Sequence, residues 1–274
     1  MVIATGCAVL LLVQVAADRR AHSAAQSGAR ELRHTRAVLA AELAPLPTRD
    51  LLLVSDTLLA MHSQLGVVTV CASDSTGVDV ASAAGLAPTA WLESTRAGDV
   101  IRAWSAGGAP NDAPQPLMLA LVVPARRLGA GPCGASVVRQ RWRLALAGLP
   151  AVGAPLLVGA PLEAHREVQY VHYRSNGRWW LGRRARDGAT WETVQPVAGP
   201  LESPARGGLT LRGLDVAGAV TTRVDSMAAI ALVARVPRVA RPTTPAAARR
   251  VVLPPDSLVT ELPLRAESWT RGLE

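Results

Sequence analysis

The first 44 residues constrain the fold of this chain more than any other stretch. Met1–Ala17 holds only two polar side chains, Thr5 and Gln14, and no proline occurs before Pro45. A cleaved signal peptide would need a basic stretch ahead of the apolar run, and a lipid anchor at Cys7 would need a longer run before it. A membrane helix, which takes about 20 apolar residues, fits better, although this run is slightly short.

The segment that follows continues the helix rather than ending it. Residues 18–44 are rich in Ala, Arg, Leu and Glu, which favour helix. The prediction is one unbroken helix over residues 1–44, about 66 Å long. Its second half carries an apolar stripe that we expect to pack on a sheet, at Ala25, Leu32, Leu39 and Leu43. Its first half is expected to meet lipid or sister helices through Ala4, Ala8, Leu11 and Leu12.

Beyond Pro47 the hydrophobic period changes from that of a helix to that of strands. The clearest turn is Asn176-Gly177, which lies between two alternating runs and predicts a hairpin. We expect strands at Leu51–Val54, Thr57–His62, Val67–Ala72, Asp99–Trp104, Leu117–Val123, Val137–Ala147, Glu167–Arg174, Arg178–Arg186, Thr190–Val197, Leu209–Asp215, Arg223–Ala234 and Leu258–Arg265.

These patterns together predict an α+β fold, with a long N-terminal helix packed on an antiparallel sheet. The expected domains are a helical stem over residues 1–44, of which 1–17 form the membrane or filament-core segment, and a β-rich domain over 45–274. A segment rich in Pro, Ala and Arg predicts a mobile loop at about residues 236–257.

Two cysteines lie in the predicted β-rich domain, Cys71 and Cys133. If that domain faces an oxidising compartment, the two thiols are candidates for a disulfide. Two separate buried thiols are the alternative. A bridge that closes a loop of about 60 residues would add roughly 4 kcal/mol in the chain-entropy model.

Several local motifs resemble catalytic or binding signatures without meeting their structural requirements. Gly129-Ala-Gly-Pro-Cys-Gly134 matches the dinucleotide fingerprint, but the alternating run after it predicts a strand where the fingerprint needs a helix. Ala103–Gly107 approaches a nucleophile elbow and also lacks the helix that an elbow requires. The histidines, including His165 and His172, show no metal-binding spacing. We therefore expect no catalytic residue, no cofactor and no metal, and a protein that is not an enzyme.

All 29 basic residues are arginines, and the net charge is +8. The arginines are spread over every segment, often at alternate positions of predicted strands, which is typical of solvated sheet faces. Trp179 and Trp180, with arginines around them, fit cross-strand packing against Tyr170 and Tyr173 better than stacking on bases. Nucleic acid is therefore not among the expected partners.

Four stretches give this layout a family likeness: MVIATGCAVLLLVQ, ARELRHTRAVLAAELAPL, SDTLLAMHSQLGVVTVC and VQYVHYRSNGRWWLGRRA. Together they resemble type IV pilin-like proteins, and among those the minor pilin and pseudopilin group of PilW and the J-type pseudopilin. Members of that family begin with a short basic leader that ends in Gly and is cut by a prepilin peptidase. Here no such leader precedes Met1, so the natural start is expected further upstream.

The resemblance implies a non-enzymatic subunit of a type IV pilus or of a type II secretion pseudopilus. Its implied partners are other pilin or pseudopilin subunits and an assembly platform in the inner membrane. The implied location is the inner membrane, as a single-pass protein with its globular domain in the periplasm, and then the assembled filament. The alternative is an unrelated single-pass protein that displays a β-rich binding domain in the periplasm.

Overall fold

The computed structural model describes most of the chain and divides it into two compact units. The residues described are 19, 23, 26–82, 90–105, 115–134, 137–149, 156–237 and 257–265. The described residues of the first unit come from Met1–Ala60, Tyr170–Arg183 and Val194–Glu274. Those of the second unit come from Met61–Gln169 and Arg184–Thr193.

The described elements are mainly strands. Helix α1 spans residues 26–43, α2 spans Ala90–Glu93, and three short 3₁₀ turns cover Thr48–Asp50, Pro204–Arg206 and Val224–Ser226. The strands are β1 (Leu51–Ser55), β2 (Leu58–Asp74), β3 (Gly77–Ser82), β4 (Val100–Ser105), β5 (Gln115–Leu121), β6 (Arg126–Cys133), β7 (Val137–Ala147), β8 (Pro161–Ser175), β9 (Arg178–Asp187), β10 (Thr190–Trp191), β11 (Gln195–Leu201), β12 (Leu209–Leu214), β13 (Val220–Thr221), β14 (Ala229–Arg235) and β15 (Ser257–Pro263).

In the first unit, α1 buries one face. Leu32, Leu39 and Leu43 lie at helical spacing and are buried, as the apolar stripe requires. His34 Nε2 donates a hydrogen bond of 3.0 Å to the carbonyl of Val197. The helix ends just before Pro45, because proline disfavours a helical residue before it. Its apolar side is therefore used for packing within a globular unit.

The first unit also contains a four-stranded antiparallel sheet in the order β13-β12-β14-β15. Leu211 of β12 pairs with Leu232 of β14, which in turn pairs with Thr260 of β15. Leu211 and Leu232 are buried, as are Leu209 and Ile230 on the same strands. One face of this sheet therefore covers a hydrophobic core.

In the second unit, six strands close into an antiparallel ring. Their order is β2-β3-β7-β5-β4-β8, and β8 pairs with β2 again. At the closing seam, Val70 N donates to the carbonyl of Ala160 at 3.0 Å, and Gly159 N donates to the carbonyl of Val70 at 2.9 Å. Ring closure satisfies strand edges that an open sheet would leave unpaired.

The interior of this ring is filled by side chains. The pairs Val70–Val80 and Val80–Trp142 lie on one side of the ring, and Ile101–Leu119 lies on another. All five residues belong to one buried hydrophobic cluster. A small barrel of this size is a packed core rather than a channel.

The structure corrects the expected fold class. The described part is predominantly antiparallel β-sheet, and α1 is its only helix of seven or more residues. The predicted α+β arrangement built on a long apolar N-terminal helix is therefore wrong. The resemblance to type IV pilins is therefore also wrong, because it depends on such a helix.

The expected location is corrected as well. Among the described residues, no helix combines the length and the apolar character needed to cross a bilayer. The single-pass inner-membrane anchor, and the pilus, pseudopilus and transmembrane assignments tied to it, are therefore not supported. Residues 1–17 with Ala4, Ala8, Leu11 and Leu12, residue Ala25, and 238–256 of the expected mobile loop lie outside the described residues.

Several strand boundaries also differ from the prediction. The two segments expected at Thr57–His62 and Val67–Ala72 form one long strand, β2. β3, β6 and the two-residue β13 were missed; β3 contains a glycine and an aspartate, and β6 contains two glycines and a proline, all of which disfavour strand. The hairpin at Asn176-Gly177 is confirmed: these residues have φ of 49° and 74° and join β8 to β9.

Candidate functional site

A disulfide joins the two cysteines singled out in the sequence. The Sγ atoms of Cys71 and Cys133 are 2.02 Å apart, and the residues are separated by 62 positions. Cys71 lies at a register shift of β2, between Val70 and Ala72, and Cys133 is the last residue of β6. The bridge therefore ties the end of the β6–β7 hairpin to the ring.

The glycine motif that includes Cys133 has a structural explanation. Gly129 and Gly134 have φ of +100° and +71°, which favours glycine. A Cβ atom on Gly131 would lie 2.6 Å from Nε of Arg141. Glycine, which has no side chain, therefore leaves room for the guanidinium group of Arg141. β7 follows the motif, so no helix N-terminus is present to hold a pyrophosphate.

A buried ion pair links strand β8 with the segment that precedes β4. Arg166 donates from Nε to Asp99 Oδ1 at 2.7 Å and from Nη2 to Asp99 Oδ2 at 2.8 Å. The same Nη2 donates to the carbonyl of Ser94 at 2.6 Å, and Arg96 N donates to Asp99 Oδ2 at 2.8 Å. The Asp99 hydrogen bonds raise the pKa of Arg166, although burial opposes the change. These groups are occupied in holding the second unit together.

A second charged group lies on β4 and β8. Glu163 Oε2 accepts from Arg102 Nη1 at 3.1 Å and lies 3.4 Å from His165 Nε2. The contact with His165 lowers the pKa of Glu163; burial opposes this, and the charge of Arg102 assists it. The carboxylate of Glu163 is thus shared by two buried basic side chains.

A third group lies where the β2–β3 turn meets β7. Arg143 donates from Nη2 to Asp74 at 2.5 and 2.6 Å and from Nη1 to Asp79 at 3.0 Å. The hydrogen bond from Arg143, with help from Thr76, holds the pKa of Asp74 well below its usual value. This network fixes the hairpin against its neighbouring strand.

A different arrangement occurs where β8, β9 and β10 adjoin. Arg184 donates from Nε and Nη2 to Gln169 Oε1, at 2.9 and 2.6 Å. The Cζ atoms of Arg184 and Arg186 lie 4.9 and 5.2 Å from the ring centroid of Trp191, within cation–π range. Arg186 Nε also donates to the carbonyl of Gly188 at 3.1 Å. We call these four side chains, Gln169, Arg184, Arg186 and Trp191, the arginine–tryptophan cluster.

The half-buried arginines of the cluster differ from those of the three charged groups above in having no acidic partner in the described part of the chain. Among the residues that the structure describes, no carboxylate lies within ion-pair distance of Arg184 or Arg186. The neighbouring Glu192 pairs instead with Arg96; burial opposes ionisation of Glu192, but this ion pair lowers its pKa. The arrangement therefore presents two guanidinium groups with unused hydrogen-bond donors.

Sequence reasoning missed this cluster, although a signal for it exists. Gly188-Ala189 forms a two-residue turn between β9 and β10, and a glycine at the first turn position between two strand-like runs is a hairpin signal. That turn places Trp191 directly opposite Arg186. Reading it as a second hairpin would have brought the tryptophan and the alternate arginines to one face.

The aromatic residues highlighted in the sequence lie in the first unit. The Trp179 ring is tilted against His172, with centroids 5.1 Å apart, and Trp180 Nε1 donates to the carbonyl of Ser175 at 3.4 Å. Burial lowers the pKa of His172. Burial, followed by the charge of Glu42, raises the pKa of Tyr170.

Within the described ranges, no group of three or more His, Cys, Asp or Glu side chains is placed to hold a metal ion. Comparison with known protein families, with curated proteins and with solved structures gives no match.

Proposed function

We propose that this chain is a non-enzymatic binding module that works in an oxidising, extracytoplasmic compartment. The observation that carries the proposal is the Cys71–Cys133 disulfide. Cytosolic thiols are kept reduced, whereas disulfides form and persist in secreted and periplasmic proteins. The proposal keeps the expected β-rich binding domain and omits the pilin assembly and the single-pass anchor.

The distribution of charge supports binding rather than catalysis. In the second unit, the buried Asp99 and Arg166 are committed to each other, and Glu163 is committed to Arg102 and His165. Groups tied in such pairs stabilise strands and segments and are not free to move protons to a substrate. Unused donors lie at Arg184 and Arg186, where they can contact a partner.

The compartment is tested by trapping the thiols in intact cells that produce the protein. An alkylating reagent is added before lysis. The masses of the peptides containing Cys71 and Cys133 are then measured by mass spectrometry, with and without reduction. We expect both cysteines to escape the first alkylation and to react only after a reductant is added. Cys7 is the internal control, since alkylation there shows that the reagent reached the chain. Alkylation of both Cys71 and Cys133 before reduction, with Cys7 also modified, would overturn the proposal.

A further inference from the structure

The guanidinium groups of the arginine–tryptophan cluster hold free hydrogen-bond donors in a fixed orientation. Guanidinium carries five N–H donors in one plane. Arg184 uses Nε and Nη2 on Gln169, and Arg186 uses Nε on Gly188. A contact with the Trp191 ring uses none of these N–H groups, so the remaining donors of both arginines are still available.

This fixation favours binding because it reduces the entropy lost when a ligand is bound. A free arginine side chain loses conformational entropy when it is immobilised. Here the ring of Trp191, the amide of Gln169 and the carbonyl of Gly188 already restrain the two side chains. A ligand therefore meets a surface that is ordered before binding.

The spacing of the donors indicates the shape of the ligand. Arg184 and Arg186 occupy alternate positions of β9 and so lie on one face, about 6.7 Å apart along the strand. Asp187 follows Arg186 by one position, and Glu192 follows Trp191 by one position, so both carboxylates lie on the other face. Their negative charges there help to raise the pKa of Arg166. Carboxylates at alternate positions of an extended peptide have the same spacing as the two arginines.

We infer that the arginine–tryptophan cluster docks an extended acidic segment of a partner protein, with carboxylates at alternate positions. The inference rests on the proposed binding function and specifies its site. β10 ends the strand order of its sheet, so among the described residues no strand lies beyond it. An extended segment beside Trp191 would bring its acidic side chains to the two guanidinium forks, which pair with carboxylates in bidentate geometry.

Two observations favour an acidic protein over a nucleic acid. Single-stranded nucleic acids bind to open aromatic rings on which bases stack, and the ring of Trp191 already has two guanidinium groups over it. In the proposed extracytoplasmic compartment, which the Cys71–Cys133 disulfide supports, proteins rather than nucleic acids are the ordinary partners.

The test measures binding of a fluorescent peptide with Glu at alternate positions and Thr between them, by anisotropy, to the oxidised full chain. The variant R184Q/R186Q removes both forks, and R174Q/R178Q is the matched control, since Arg174 and Arg178 are exposed and the loss of charge is equal. A third variant, Trp191→Leu, keeps every charge and removes the stacking ring. Far-UV circular dichroism and the urea midpoint check that each variant folds.

We expect saturable binding by the wild type, at least tenfold weaker binding by R184Q/R186Q, and a change under twofold for R174Q/R178Q. Trp191→Leu should weaken binding severalfold, which simple charge attraction does not predict. Equal losses in the two double variants, or no saturable binding, would overturn the inference. Tighter binding of a single-stranded oligonucleotide than of the peptide would overturn the partner class. The thiol-trapping result is independent, so a failure here with an oxidised cysteine pair leaves the proposed compartment intact.

Discussion

Replacing Arg166 by methionine should be among the most damaging single changes in the second unit. Arg166 donates two hydrogen bonds to Asp99 and one to the carbonyl of Ser94, all between 2.6 and 2.8 Å. The Asp99 side chain is only 2% exposed, so water does not replace the lost donor. Methionine has a similar length and no charge, so it tests the charge and the hydrogen bonds rather than the volume.

The expected cost follows from the burial of this pair. Breaking a buried ion pair by removing one partner typically costs about 3–5 kcal/mol, because the other charge is left buried and uncompensated. Three lost hydrogen bonds, two of them to a charged acceptor at roughly 1.5–3 kcal/mol each, give a sum in the same range. We therefore expect R166M to lower the free energy of unfolding by about 4 kcal/mol, a large part of the 5–15 kcal/mol typical of a domain.

The assay is equilibrium urea unfolding of the oxidised protein, followed by tryptophan fluorescence. The variants are R166M, Asp99→Asn and their double, which removes both charges. We expect the double variant to cost less than the sum of the single variants. R212M is the control, since Arg212 is 59% exposed and lies 3.9 Å from Asp56; an exposed pair of this kind is worth about 1 kcal/mol or less. If R166M costs no more than R212M, or if the single effects simply add, the ion pair does not stabilise the unit as described.

Three further outcomes are expected. Replacing both Cys71 and Cys133 by alanine opens a loop of 62 positions and should lower the free energy of unfolding by about 4 kcal/mol in urea titrations; an unchanged midpoint would contradict this. Burial lowers the pKa of His172 below its ordinary 6.5, so stability should be full above pH 6.5 and fall as the pH drops toward the lowered value; His172→Gln should flatten that profile between pH 8 and 5. The pKa of Asp74 is lowered by Arg143, so carboxyl NMR titration should place it below 3.8 and R143Q should raise it; no change in R143Q would exclude that cause.

Short stretches of the sequence predict much of the local structure. The Asn176-Gly177 turn was predicted because both residues tolerate positive φ, and they adopt it. Leu32, Leu39 and Leu43 were expected on one helix face, and the structure buries all three. These features depend on backbone periodicity and turn chemistry, which act over a few residues.

The long N-terminal helix was the main error of the sequence reading. The absence of proline predicts one helix over residues 1–44, whereas among the described residues α1 is the only helix of seven or more residues and it is not a long apolar one. Its buried stripe packs in a β-rich unit. Helix propensity and apolar character favour a helix, but they do not specify what covers its apolar face, because packing is decided by partners distant in sequence.

The chain by itself therefore determined most of the strands, the β8–β9 hairpin and the two cysteines that were candidates for pairing. The tertiary structure alone decided the ring closure at Val70 and Ala160 and the pairing of Asp99 with Arg166. Val70 and Ala160 lie 90 positions apart. No local period encodes which strands pair or in which register, because that choice depends on burying whole faces together.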